Sequence, residues 1–202
     1  MNRLSPIHWL GVALGALFVA LFTFNDSGPF PVFKPTTTEV RVTPREADSQ
    51  VLDSFAAALR SIWDKDQQAD ANYRSGTAAA VRSRDAKAFA IVVADWDSSL
   101  RDIQSDLQGV KVPPTANGKL KALLDESATA FAGTLAIERR IAQRVLVMLS
   151  TKVDISKEIA GEMKEANMAS VRSVLALHSA YQLLGMEPPP EPQRQRNGSD
   201  RP

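Results

Sequence analysis

The 202-residue chain has two histidines, His8 and His178, and no cysteine. Without thiols there is no disulfide, thiol nucleophile, cysteine-held zinc, iron–sulfur cluster or covalent c-type haem. The cysteine needed for lipoprotein anchoring is missing too. A di-iron helical bundle requires Glu-x-x-His on two helices, but Leu175 stands three residues before His178 and the motif occurs nowhere. A b-type haem needs two axial ligands, which His178 with Met163, Met168 or Met148 would supply. The simpler reading is a histidine on a partly buried stripe beside core methionines.

The carboxylates offer little more. Glu158, Glu162 and Glu165 share much of one helical face, as ligands of a hard cation would. Lys157 and Lys164 interleave with them, and such runs read as solvated faces. Asp95 and Asp97 flank Trp96, but residues two apart on a helix diverge and cannot work as an acid–base pair. With one histidine outside the apolar segment and no glycine-rich phosphate loop, nucleophilic and phosphoryl-transfer chemistry lack parts. The sequence therefore assigns no catalytic, cofactor-binding or metal-binding residue, and no cofactor or enzyme activity is expected.

Charge excludes a further class. Arg3 is the only charge before Asn25, which leaves 23 basic residues against 23 acidic ones in the remainder. Nothing here is built to neutralise a polyanion, so no nucleic-acid partner is expected. The local basic groups Arg82/Arg84/Lys87 and Arg139/Arg140/Arg144 lie in helical patterns with acidic neighbours and read as solvated faces.

The address is set by residues 7–24, eighteen uncharged and mostly apolar positions between Arg3 and Asp26. As a helix they span about 27 Å, close to the roughly 30 Å of a bilayer's hydrocarbon. A transmembrane signal anchor is expected, with residues 1–6 cytoplasmic, His8 and Trp9 at the interface, and the rest of the chain on the periplasmic or extracellular side. The competing reading is a cleaved signal peptide, but Phe22-Thr23-Phe24-Asn25 is bulky where a cleavage site needs small residues. Gly11 and Gly15 have the spacing that lets two membrane helices approach closely.

Residues 25–43 carry Pro29, Pro31, Pro35 and Thr36 to Thr38, an extended stalk. The domain of residues 44–186 then reads as all-α. Thr43, Pro44 and Glu46 form a helix start, followed by the stripe Leu52, Phe55, Leu59, Ile62, Ala69, Tyr73, with a stop at Gly76. Thr77 is expected to cap a second helix with the heptad seam Phe89, Val92, Trp96, Leu100, Ile103, Leu107. Gly109 and the Pro113-Pro114 corner end it, and the corner reads as a hinge between two helical hairpins.

A third helix begins near Thr115 to Asn117 with Leu120, Leu124, Phe131, Leu135, Val145 and Met148. A turn between Leu149 and Ile155, with Asp154 as cap, precedes a fourth carrying Ile159, Met163, Val171, Val174, His178 and Tyr181 and ending at Gly185. Helices of about 30 residues joined by short connections predict an antiparallel up-down-up-down four-helix bundle. Residues 187–202 read as a disordered proline-rich tail; the glycosylation sequon Asn197-Gly198-Ser199 matters only in a glycosylating host, and the Ala/Arg-rich style is bacterial.

Good bundle patterning without a chemical centre favours an accessory or protein-interaction module of the bacterial envelope, with a protein partner or a second copy of itself. The alternative is a bundle that binds a small ligand or metal between its helices. Extracytoplasmic sensor domains resemble it in architecture, but they return through a second spanning helix to an output domain, and neither is expected here.

Overall fold

The computed structural model describes residues 46–115 and 117–188. The anchor expected at 7–24, the stalk at 25–43, the cap at Thr43-Pro44 and the tail beyond Pro188 lie outside the described residues. Those described form four helices, α1 (Glu46–Ser83), α2 (Ala86–Gly109), α3 (Gly118–Thr151) and α4 (Ser156–Leu183), with no strand among them. None of these helices is long and apolar enough to cross a membrane.

Cross-helix pairs fix the directions. Lys65 meets Asp106 and Tyr73 stacks on Trp96, so α2 runs back along α1. Gln143 reaches Asp97 while Arg139 reaches on to Gln104, and Ser127 meets Ser173 while Thr134 meets Ala166, so each later helix also reverses the one before it. The core is a continuous apolar column that includes Leu52, Phe55, Phe89, Val93, Leu100, Leu124, Phe131, Leu135, Val145 and Ile159.

The first turn falls later than the sequence implies. Gly76 and Thr77 lie inside α1, which ends where Arg84 takes φ 55° and Asp85 caps α2, its Oδ1 accepting from Lys87 N and Ala88 N at 2.9 Å each. Gly76 serves packing instead of termination: a Cβ there would stand 2.8 Å from Val92 Cγ2. The glycine lets α2 come close. Correspondingly, Val93 is the fully buried seam residue of α2, and Val92, expected there, is only partly buried against Gly76.

The helices are also unequal, with 38 residues in α1 and 24 in α2. In register with α1, Gly109 comes level with about residue 61, yet Thr115 Oγ1 donates to Asp48 Oδ1 at 2.5 Å near the start of α1. Six residues of extended chain cover the intervening ~20 Å, as thirteen residues of helix would. The segment 110–115 is therefore a strap along the core, with Val110 and Val112 packed against it. The proline pair, expected to be a hinge, holds this strap extended where α2 is missing.

The α3–α4 pair is the most closely packed, and the backbones of α1 stand farther from α3 and α4 than from α2. The reason is side-chain size. Ser127, Ala130 and Thr134 on α3 face Ala166, Ser173, Ala176 and Ala180 on α4, all buried. Of the fourth-helix stripe expected from the sequence, Ile159 and Tyr181 are buried, whereas Met163, Val171, Val174 and His178 are only partly covered. Small residues, not large ones, make that interface. The C-terminus of α4 is as expected: Gly185 has φ 68°, and Met186 N donates to Tyr181 O at 2.9 Å.

Candidate functional site

Two partly buried carboxylates, Asp66 and Glu138, occupy heptad positions on the core faces of their helices. On α1 the sequence Leu59, Ile62, Asp66, Ala69, Tyr73 advances by 3, 4, 3 and 4 residues; on α3, Phe131, Thr134, Glu138, Ile141 and Val145 do the same. Such spacing turns every member toward the bundle axis. Asp66 Oδ1 and Glu138 Oε2 are sealed from solvent, with no hydrogen-bond partner among the described residues. Burial pushes the Asp66 carboxyl up to about 7, and the neighbouring charge of Asp70 adds to it. Burial likewise raises Glu138 well above the carboxylate range, reinforced by Asp66 and Asp70 and partly opposed by Arg74.

Arg74 does not neutralise the pair. Its Nη2 lies 3.4 Å from Asp70 Oδ2 and half of its side chain is exposed, so that ion pair is the solvent rim of the cluster. One step farther along α1, Tyr73 stacks on Trp96 with ring centroids 4.3 Å apart and 19° between planes. Burial raises the Tyr73 phenol above its usual range, and Trp96 Nε1 is buried without an acceptor among the described residues.

A second polar layer is built on arginines, although Glu162 Oε2 is buried in it without a hydrogen-bond partner among the described residues. Asp97 is buried, where Oδ2 accepts from Arg101 Nη2 at 3.2 Å and Oδ1 accepts from Arg139 Nε and Gln143 Nε2 at 3.3 Å each. Arg139 Nη1 also donates to Gln104 Oε1 at 2.8 Å. Of the basic group Arg139, Arg140 and Arg144, Arg139 is largely covered and pairs across helices, while Arg140 and Arg144 keep about half of their side chains in solvent and also pair with α4. Glu162 Oε1 lies 2.8 Å from Arg140 Nε and 3.3 Å from Arg144 Nε, and only 12% of its side chain is exposed. Of the three glutamates weighed as cation ligands, Glu162 is committed to arginines, Glu165 stands 3.9 Å from Arg140, and Glu158 is exposed.

The axial-ligand pairs weighed for haem are kept apart. His178 is partly buried near the C-terminal end of α4, and Met148 is buried at the far end of α3, level with about residue 152 in the register of Ser127 with Ser173 and Thr134 with Ala166. At 1.5 Å per residue these stand roughly 39 Å apart along the bundle. Met163 and Met168 share His178's own helix about 22 and 15 Å away, and Met168 points outward, 56% exposed. Among the described residues no group of three or more His, Asp or Glu is arranged to hold a metal ion.

Outside, α4 carries an apolar stripe. Met168 and Leu175 are 56% and 58% exposed, seven residues apart on one face with Val171 between them. Together with Leu123 of α3 they line a shallow groove, flanked by Glu126 and Arg172.

Asp66 and Glu138 escape a reading that collects only apolar residues, because such a stripe steps over an acid. The signal that finds them is the unbroken heptad register, in which each fills a core slot. Comparison of the chain with family models, with curated proteins and with solved structures finds no match.

Proposed function

We propose that the protein is a single-pass, membrane-anchored accessory module of the bacterial envelope. Residues 7–24 hold it in the membrane, and the bundle, on the periplasmic or extracellular side, docks a protein partner. The observation that carries this reading is the stripe Met168, Val171, Leu175 on the solvent face of α4. Large apolar side chains at heptad spacing on an outer face are what a partner helix packs against; the other exposed apolar helix residues, Ile91 and Val147, stand singly on α2 and α3. Glu126 and Arg172 beside the groove would set the orientation of that helix by charge.

The test is site-specific photocrosslinking in native membranes. A photoreactive residue at Leu175 is expected to give a discrete adduct, and one at exposed Gln108 on α2 none. Met168→Glu with Leu175→Glu should abolish the adduct while leaving the helical circular dichroism intact. An adduct of twice the bait mass identifies the partner as a second copy. Bait that stays bare from both positions rejects the docking reading, and its intact mass reports whether residues 7–24 are retained.

A further inference from the structure

The register of the α4 stripe constrains how a partner can lie on it. With Met168 and Leu175 as successive a positions of a heptad, Val171 and His178 take d, Arg172 takes e, Asn167 and Val174 take g, and Ser173 takes f. Ser173 is fully buried against α3, so the a/d line points directly away from the core. This outward seam runs about 15 Å from Met168 to His178. Exposed Lys164 and Gln182, at the next seam positions on either side, end the apolar run.

We propose, building on the docking reading above, that the partner on this seam is a second copy of the chain, its α4 parallel to the first across a two-fold axis along the bundle. Parallel packing sets a on a and d on d. Met168, Val171 and Leu175 then each meet their own counterparts. It also sets e opposite g, which brings Arg172 to the partner's Asn167, a neutral side chain. Antiparallel packing sets e opposite e, and with the two stripes matched it drives Arg172 against the partner's Arg172. Arg172 forms no ion pair among the described residues that would relieve this repulsion. Like charges at the centre of so small a contact select against that orientation.

The chain leading into α1 favours the same sense. Two copies held in one membrane by residues 7–24 rise from it with equal polarity, and Gly11 and Gly15 have the spacing at which two membrane helices pack closely. Three apolar side chains from each copy cover far less than the roughly 800 Å² per partner of a stable soluble complex. Sharing a membrane makes up the shortfall by raising the local concentration.

The experiment exploits the absence of cysteine, which makes any introduced thiol the only one in the chain. Met168→Cys, Leu175→Cys and, on exposed α2, Gln108→Cys are oxidised separately in the full-length protein in its native membranes. In the parallel pair both seam thiols lie opposite themselves, so each of these two variants is expected to give at least about tenfold more disulfide-linked dimer than Gln108→Cys. In an antiparallel pair each seam thiol is displaced by about 10 Å from its counterpart, and dimer forms only when Met168→Cys and Leu175→Cys chains are mixed; that result overturns the parallel seam. If neither variant gives dimer and the photoadduct at Leu175 has another mass, the second copy is wrong while the docking reading stands. If there is neither dimer nor adduct, both are wrong.

Discussion

Ser127 and Ser173 exchange hydrogen bonds across the α3–α4 interface, Ser127 Oγ donating to Ser173 O at 2.9 Å and Ser173 Oγ to Ser127 O at 2.8 Å. Each hydroxyl reaches the backbone of the opposite helix, which is possible only because the two helices nearly touch. The seam tolerates loss of the hydroxyls better than added volume. Ser127→Ala should cost about 1 kcal/mol, whereas Ser127→Leu, forced between two backbones, should cost about 3 kcal/mol or more. Urea denaturation of the two variants measures the difference.

Gly76 and Val92 make the corresponding contact between α1 and α2. Gly76→Ala gains about 1 kcal/mol of helix propensity but sets a methyl 2.8 Å from Val92 Cγ2. The overlap outweighs the gain, and a net loss of about 1 kcal/mol is expected. In a Val92→Ala background the same substitution should become stabilising, and a double-mutant cycle reads the change of sign.

Lys152 closes α3 with φ 60°, its N–H donating to Met148 O at 2.9 Å. A lysine in the left-handed region carries a steric cost that glycine avoids. Lys152→Gly should therefore raise stability by about 0.5–1 kcal/mol, seen as a higher urea midpoint with an unchanged slope.

Two ion pairs separate by burial. Asp97 is enclosed by Arg139, Arg101 and Gln143, so Asp97→Ala leaves Arg139 with Gln104 alone and should cost about 3 kcal/mol. Lys65 and Asp106 lie 2.6 Å apart with about half of each side chain exposed. Lys65→Ala should cost less than about 0.5 kcal/mol. Denaturation curves of the two variants in parallel check the ordering.

The helical class and the number of helices in the described domain could be read from the sequence, because heptad spacing of large apolar residues is a strong signal at α2 and α3. The failures share a cause. Gly76 looks like a stop because glycine commonly ends helices, and only the neighbouring Val92 shows that it serves a close approach. Size points to Met163, Val171 and His178 for the α4 stripe, whereas Ala166, Ser173 and Ala180 are what α3 permits. Asp97 reads only as an acid beside Trp96 that cannot pair with Asp95, and its own partner, Arg139, lies forty-two residues later. Asp66 and Glu138 were legible in register but not in polarity.

The strap from Val110 to Thr115 gives the bundle a joint that is indifferent to helical phase. Adding a residue to a helix turns everything beyond it by about 100°, which would carry the α3 seam away from its partners. An extended segment absorbs the same insertion as slack. The domain can therefore change its length at this one connection, exchanging strap for helix at the end of α2, while the heptad register of α3 and α4 stays where it is. Natural variants of this chain that differ in length should concentrate the difference between Gly109 and Asn117.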